Sequence, residues 1–420
     1  MKITVFAAGS RGDIQPCIVL CQGLQQAGYA VALAAPADFA GFAAQHGVAF
    51  RPVRGDIQQI MASDTGRQFM ATGGANPLKS IRAIRTLLEP VVVQMTDDAC
   101  AACRDADAVI SLGVLAAFAQ TIAEARRVPL LLVEPAPLLP TRAFAAPAWP
   151  LQRNLGGWHN YLSGVVMLQV LWQWYRPFVN DLRRRLGLRA WGLTSFQRVL
   201  RTTPLAGAYS PSLIPRPADW PVTAQVTGCL FLDDVADWQP PADLAAFLAA
   251  GAAPVYIGFG SMAGRDPEQL TRVAIDALAQ SGQRGVLATG WGGMAAASVP
   301  DSVFVLAAAP HSWLFPRMAA VVHHGGAGTT AEGLRAGVPA VITPFAFDQF
   351  FWGAQLKRRG LGPAPLPQKQ LTAARLAEAI HTAVTDAAMR QRARAFAACL
   401  RAEDGKAAAV AWVQRHLGAG

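Results

Sequence analysis

The stretch VHHGGAGTTAEGLRAGVPAVITPFAFDQFFWG, from Val322 to Gly353, constrains the fold more than any other part of the chain. A short β-branched strand ending at Val322 runs into two histidines and a Gly-Gly-Ala-Gly turn. A helix from about Thr329 to Ala336, a second strand and an Asp-Gln pair follow. Glycine alone tolerates both positive φ and a close approach of backbone to a ligand in such a turn. The helix start offers unpaired N–H groups and the positive end of a dipole, which suits a phosphate. A glycine-rich turn by itself is as readily a plain βα connection. Here His323, His324, Thr329, Thr330, Glu332, Asp348 and Gln349 gather on one edge, and that company points to a site.

The rest of the chain supplies a partner for this unit. From Lys2 to Ala8 a buried strand leads into the loop GSRGDIQP and a helix, then strand, helix and strand again, the signature of a doubly wound sheet. Asp13 takes the place of an N-cap, with Pro16 in the first helical turn, so Asp13 is expected at the carboxyl end of the first strand, the edge where such sheets bind ligands. A Gly-, Ser- and Thr-rich stretch from Gly55 to Asn76 reads as a long loop. Strands near Val109 and Leu131 resume the pattern. PVYIGFGSM, from Pro254, starts a second strand and helix series that ends in the opening motif. The expected fold is α/β, two doubly wound Rossmann-like domains facing a cleft. The first covers residues 1–231, a polar, proline-bearing linker 232–242, and the second 243–420, with the final helix a candidate to pack back on the first domain.

Composition limits the partners. At 420 residues the chain exceeds one ordinary core, and 52% hydrophobic against 15% charged residues argues against disorder. No apolar run is long enough to span a bilayer and the start does not read as a signal peptide, so a cytoplasmic protein is expected. Six cysteines fit reduced, buried thiols. The net charge of +10 favours an anionic partner, but no basic and aromatic interleaving points to nucleic acid. Between Tyr161 and Arg185 an apolar, Trp-bearing segment stands beside arginines. It reads as a packed helix with a basic end, the wall of a greasy pocket, or an interfacial element giving peripheral contact with the inner membrane face. Asp105 and Asp107 spell D-x-D, yet lie at the amino end of a strand, away from the ligand edge, so no metal is expected there.

These groups match glycosyl transfer from a nucleotide sugar. His324, Ser261 and the helix start can donate to a pyrophosphate leaving group, and Glu332 can hold a ribose diol. Asp348 and Gln349 can grip sugar hydroxyls, while Asp13 is placed to act as base on an acceptor hydroxyl. An epimerase or hydrolase would use the donor alone. A non-enzymatic lipid-binding protein would leave Glu332, Asp348 and Gln349 idle. A dinucleotide oxidoreductase is disfavoured because neither loop has G-x-G-x-x-G spacing.

GSRGDIQP at Gly9 to Pro16, PVYIGFGSM at Pro254 to Met262 and the long motif at Pro310 to Gly353 resemble the UDP-glycosyltransferases of GT-B fold. The nearest subgroup is the sterol 3β-glucosyltransferase-like enzymes and bacterial antibiotic glycosyltransferases. The resemblance spans nearly the whole chain except about Thr141 to Arg201. It implies Asp13 as general base, with Ser10, Arg11 and Gly12 beside the donor phosphates and acceptor. Ser261, His324, Gly326, Gly328 and Thr329 would lie on the pyrophosphate, Glu332 on the ribose, and Asp348 and Gln349 on glucose. Plant relatives stack uracil on a Trp where this chain has Ala308, so base recognition is expected elsewhere, at Trp291 or the backbone near His311. The resemblance further implies an inverting, metal-independent reaction without a cofactor, in which a UDP-sugar is co-substrate and the acceptor is a hydrophobic alcohol: sterol-like, lipid or phenolic.

Overall fold

The computed structural model describes residues 1–55, 77–149, 152–233, 238–260, 267–289 and 299–418, with backbone alone for 77–88. The loop expected over Gly55 to Asn76 therefore falls, from 56 on, outside the described residues. The first half alternates β1 (Lys2–Phe6), α1 (Arg11–Gln26), β2 (Ala30–Pro36), α2 (Ala40–Gln45), β3 (Ala49–Val53), α3 (Pro77–Ala102), β4 (Ala108–Leu112), α4 (Ala116–Arg126) and β5 (Leu130–Glu134). Next come α5 (Gly157–Arg185), α6 (Ser195–Thr202), β6 (Leu205–Gly207) and β7 (Ala224–Val226). The second half runs α7 (Ala242–Ala249), β8 (Val255–Gly258), α8 (Pro267–Ser281), β9 (Gly285–Ala288), β10 (Val303–Leu306), α9 (His311–Leu314) and β11 (Ala320–His323). It closes with α10 (Ala327–Ala336), β12 (Ala340–Ile342), α11 (Gln349–Arg359), α12 (Ala373–Thr385), α13 (Ala387–Arg401) and α14 (Gly405–Leu417).

Both sheets are parallel and doubly wound, as the alternation of elements predicts. The first has strand order β3-β2-β1-β4-β5-β6-β7 and the second β10-β9-β8-β11-β12. Strands β4, β5, β8 and β11 are buried along their whole length, which a parallel sheet covered by helices on both faces requires. The order reverses between β1 and β4 in one sheet and between β8 and β11 in the other. A crevice opens at each reversal, outside the carboxyl ends of the strands.

The two halves are tied at their backs by the end of the chain. Helix α14 lays Ala409, Trp412 and Val413 into the same buried cluster as Ile14, Ile18 and Leu24 of α1. The return is tight, for a Cβ on Gly405 would lie 2.2 Å from the Cys229 carbonyl oxygen. Ser210 Oγ donates to Glu403 at 2.7 Å nearby. Closer to the cleft, Phe144 packs on Phe351 with ring centroids 5.2 Å apart, and Tyr209 packs edge-on to Trp352 at 6.1 Å.

Candidate active site

The loop after β1 is built around one carboxylate. The N-cap of α1 is Ser10, not Asp13, and the helix begins three residues earlier than its sequence suggests. Asp13 instead supplies the reciprocal half of a capping box, since its Oδ2 accepts from the Ser10 N–H at 2.8 Å and the Ser10 hydroxyl at 3.1 Å. Pro16 accordingly falls in the second turn, where it gives no N–H to the Gly12 carbonyl. Gly9 is required in this turn: its φ is +131°, and a Cβ there would sit 2.3 Å from Asp13 Oδ2. No described residue donates to Asp13 Oδ1. Burial raises the Asp13 pKa, against the lowering effect of the Ser10 bonds. Arg11 and Gly12 beside it are exposed, and Arg11 lies over the Phe42 ring at 4.8 Å.

The sequence reading passed over a second carboxylate on this edge. Glu134 ends the otherwise apolar β5 and is 4% exposed. Its Oε1 accepts from the Val114 N–H at 3.0 Å, and a Cβ on Gly113 would come within 2.5 Å of that oxygen. Burial, and then the nearby charges of Asp13 and Asp348, push its pKa up to about 8 against the two backbone bonds. The clue in the sequence was a lone acid closing a wholly apolar strand at the ligand-bearing edge.

In the second domain the chain after β11 turns twice around a histidine. His323 is wholly buried, and its Nδ1 accepts from the Gly325 N–H at 3.0 Å, so it shapes the turn from inside and does not join the ligand edge. His324 is partly exposed. Its ring fills the space against Gly326, where a Cβ would lie 2.5 Å from Nε2, and against Gly260 of the loop after β8, at 3.4 Å. The two glycine loops of this domain thus meet at His324. Helix α10 starts at Ala327, two residues before its expected start, with Gly326 as N-cap and Gly328 and Thr329 in its first turn. These N–H groups precede the first possible intrahelical bond, which makes them donors to an anion. Burial lowers the His324 pKa to about 4. His311, whose ring stacks on Phe315 with centroids 4.3 Å apart, is likewise lowered to about 4 by burial and then by Arg11 and His324. Ser261 and Trp291 lie outside the described residues.

The last three candidates have partners the sequence did not reveal. Asp348 accepts from Trp352 Nε1 at 2.8 Å, and burial first, with Asp13 adding to it, raises its pKa to about 6. The residue before it, Phe347, holds φ +54° and is 64% exposed, a strained backbone of the kind found at ligand sites. Gln349 was expected to grip sugar hydroxyls, and a free amide offers both donors and an acceptor for that. Its Oε1 already accepts from the Phe345 and Ala346 N–H groups at 2.7 and 3.1 Å, which leaves the amide hydrogens as its free function. Glu332 is 8% exposed and pairs with Arg335 at 3.1 Å, while Arg335 also reaches Asp233 at 2.6 Å and covers the Phe231 ring. Burial lifts the Glu332 pKa to about 7. It therefore helps to anchor the crossing between domains, whatever else it holds.

Two poles result. Asp13, Glu134 and Asp348 lie within electrostatic reach of one another across the cleft, and His311 lies within reach of both Arg11 and His324. The acid pole can accept protons and hydroxyl hydrogen bonds, and the other can donate to an anion.

Known proteins share this architecture. The profile described as Glycosyltransferase family 28 N-terminal domain matches residues 3–145, and that of the Erythromycin biosynthesis protein CIII-like C-terminal domain matches 286–411. A sterol 3-beta-glucosyltransferase of Arabidopsis thaliana is 36% identical over 425 residues, covering 99% of this chain and 68% of that protein. One from Aspergillus clavatus is 35% identical over 431 residues, 99% of this chain and 30% of its own length. This chain thus spans about two thirds of the plant relatives and under a third of the fungal one. Among solved structures, the kitacinnamycin glycosyltransferase superposes with a TM-score of 0.71 at 20% identity, covering 99% of this chain and 98% of that one. Glycosyltransferase VinC in complex with dTDP gives 0.68 at 18% identity, with 99% of each chain covered. The chain belongs to the glycosyltransferase family that includes these sterol 3-beta-glucosyltransferases, and it has the GT-B fold.

Proposed function

We propose that the enzyme transfers glucose from UDP-glucose, with inversion and without a metal, to the hydroxyl of a hydrophobic, sterol-like acceptor. The observation that carries this reading is that Asp13 and Asp348 stand within electrostatic reach of each other while His324 flanks the bare first turn of α10. Asp13 takes the acceptor proton as the acceptor oxygen attacks the anomeric carbon. Its burial raises its pKa and so improves it as a base. Asp348 and the Gln349 amide hydrogens hold the sugar hydroxyls. On the far side the bond to the diphosphate breaks, and the leaving oxygens gather charge where His324 and the first N–H groups of α10 donate. In-line attack from the Asp13 side turns an α-linked donor into a β-glycoside. Glucose and a sterol come from the names of the Arabidopsis and Aspergillus relatives.

The test is incubation with UDP-glucose and a panel of sterols, phenols and hydroxy-lipids, with products read by mass spectrometry. A hexose adduct and UDP release that both require the acceptor are expected. UDP release at the same rate without acceptor would overturn the reading.

A further inference from the structure

Helix α5 buries one side and leaves the other bare. Ser163, Gly164, Leu168 and Trp172 pack inward, and a Cβ on Gly164 would sit 2.8 Å from the Pro140 backbone. On the opposite side Trp158, Leu162, Val166 and Val170 are 68%, 53%, 45% and 59% exposed. Their spacing of four residues keeps them on one face, a stripe roughly 18 Å long. Leu155, just before the helix, is 58% exposed and extends the stripe at its start. Large apolar side chains scattered singly on a surface need no explanation, but a row of five does.

The charge around the stripe is mostly of one sign. Between Pro135 and Asp219 the carboxylates are Asp181 and Asp219, against ten arginines. Arg142 covers the Trp158 ring at 4.8 Å and Arg153 is exposed beside Leu155. Helix α6 lies against α5, with Gln197 donating to Gln169 at 3.2 Å. It buries Phe196 and Leu200 and leaves Arg198 and Arg201 exposed. An apolar row headed by a Trp, with arginines that outnumber acids such as Asp219 on the Arg142 N–H, is what an anionic lipid surface binds, through buried area and headgroup attraction together. A second copy of this chain is a poor occupant, because two-fold pairing of the same patch would set arginines against arginines.

We propose that the outer face of α5, from Leu155 to Val170, docks on an anionic lipid surface, with Arg142, Arg153, Arg198 and Arg201 at the headgroups. Among the described residues no helix is long and apolar enough to cross a membrane, so the contact is peripheral. Farther along, the same helix carries half-buried Tyr175 within electrostatic reach of Glu134. The docked face and the candidate site thus share one rigid element. This inference concerns the protein surface and stands whether or not the acceptor is a sterol.

The experiment is co-sedimentation of the full chain with phosphatidylcholine vesicles, with and without phosphatidylglycerol, at low and high salt. Binding is expected only with phosphatidylglycerol, and weaker in salt. Trp158→Glu with Leu162→Glu should lower the partition coefficient at least about tenfold, since each side chain is worth about 1.5 kcal/mol or more when buried. Both residues are exposed, so an unchanged melting temperature is expected and separates lost docking from lost folding. Arg198→Gln with Arg201→Gln should cost about tenfold on the anionic vesicles. Equal sedimentation of wild type and the Glu variant would overturn the proposal. So would a concentration-dependent dimer in analytical ultracentrifugation that the Glu variant dissolves while vesicle binding is absent.

Discussion

The acid pole and the imidazole pole of the cleft are shifted in opposite directions by the same cause. Burial pushes the carboxyls of Asp348 and Glu134 up to about 6 and about 8, and pulls His324 and His311 down to about 4. Near neutral pH, Glu134 is thus largely protonated and both imidazoles are uncharged. Burial thus removes charge from Glu134 and from both imidazoles, while Asp348, at about 6, stays mostly ionised. The difference between the poles lies in what a substrate does to them. A diphosphate brings charge that favours protonated imidazoles, whereas a sugar or an alcohol brings none and leaves the carboxyls to act by proton transfer and hydrogen bonding.

Removing the base should break this comparison most severely. Asp13→Asn keeps an oxygen for the Ser10 bonds but has no basic oxygen, so turnover should fall by about a thousandfold while UDP affinity, by calorimetry, stays within a few fold. Turnover within tenfold of wild type would take Asp13 out of the chemistry. His324→Ala attacks the opposite pole. A loss of about a hundredfold in kcat is expected, together with weaker UDP binding and an unchanged KM for acceptor. A change confined to acceptor KM would instead place His324 on the wrong side of the cleft.

How much of this was legible in the sequence follows from how each pole is built. The imidazole pole stands largely on one contiguous motif, so His324 and Thr329 could be named as candidates from the residues themselves, and Gly326 and Gly328 through the family resemblance. The doubly wound architecture was legible for the same reason, since β1 to β5 and β8 to β12 alternate with helices in chain order. The acid pole takes its members from the ends of β1, β5 and β12, and only the strand order brings them together. Glu134 therefore went unread. Side-chain partners across a few residues were also missed. Ser10 and Asp13 are both good caps, and only the backbone decides that Ser10 is the N-cap and Asp13 its reciprocal partner. Arg335 on Glu332 and the backbone N–H groups on Gln349 are short-range bonds, yet their geometry depends on turns that spacing does not specify.

Glu134 allows a finer test of the acid pole through stability. The folded chain holds its proton to about 8, against an ordinary value of 4.5, so folding takes up a proton between those pH values. Stability from this group is complete below the interval and is lost as pH rises through it. Glu134→Gln keeps the acceptor for Val114 and cannot titrate. Its denaturation midpoint should depend less on pH across the interval, with turnover at neutral pH within a few fold of wild type. Glu134→Ala leaves the Val114 N–H unpaired and should cost about 1–3 kcal/mol. Identical pH profiles for wild type and the Gln variant would mean that Glu134 is ionised in the folded chain.

The smallest expected effect separates the poles most directly. Donor binding should raise the pKa values of His324 and His311 from about 4, so UDP should bind with uptake of a fraction of a proton and more tightly as the pH falls toward 5. Calorimetry in buffers of different ionisation enthalpy measures that fraction. It should shrink in His324→Ala and persist in Glu134→Gln, because the diphosphate's charge acts on the imidazole pole. Uptake that disappears in Glu134→Gln and survives in His324→Ala would assign the linked proton to the acid pole and place the phosphates there, which would reverse the orientation of the donor in the cleft.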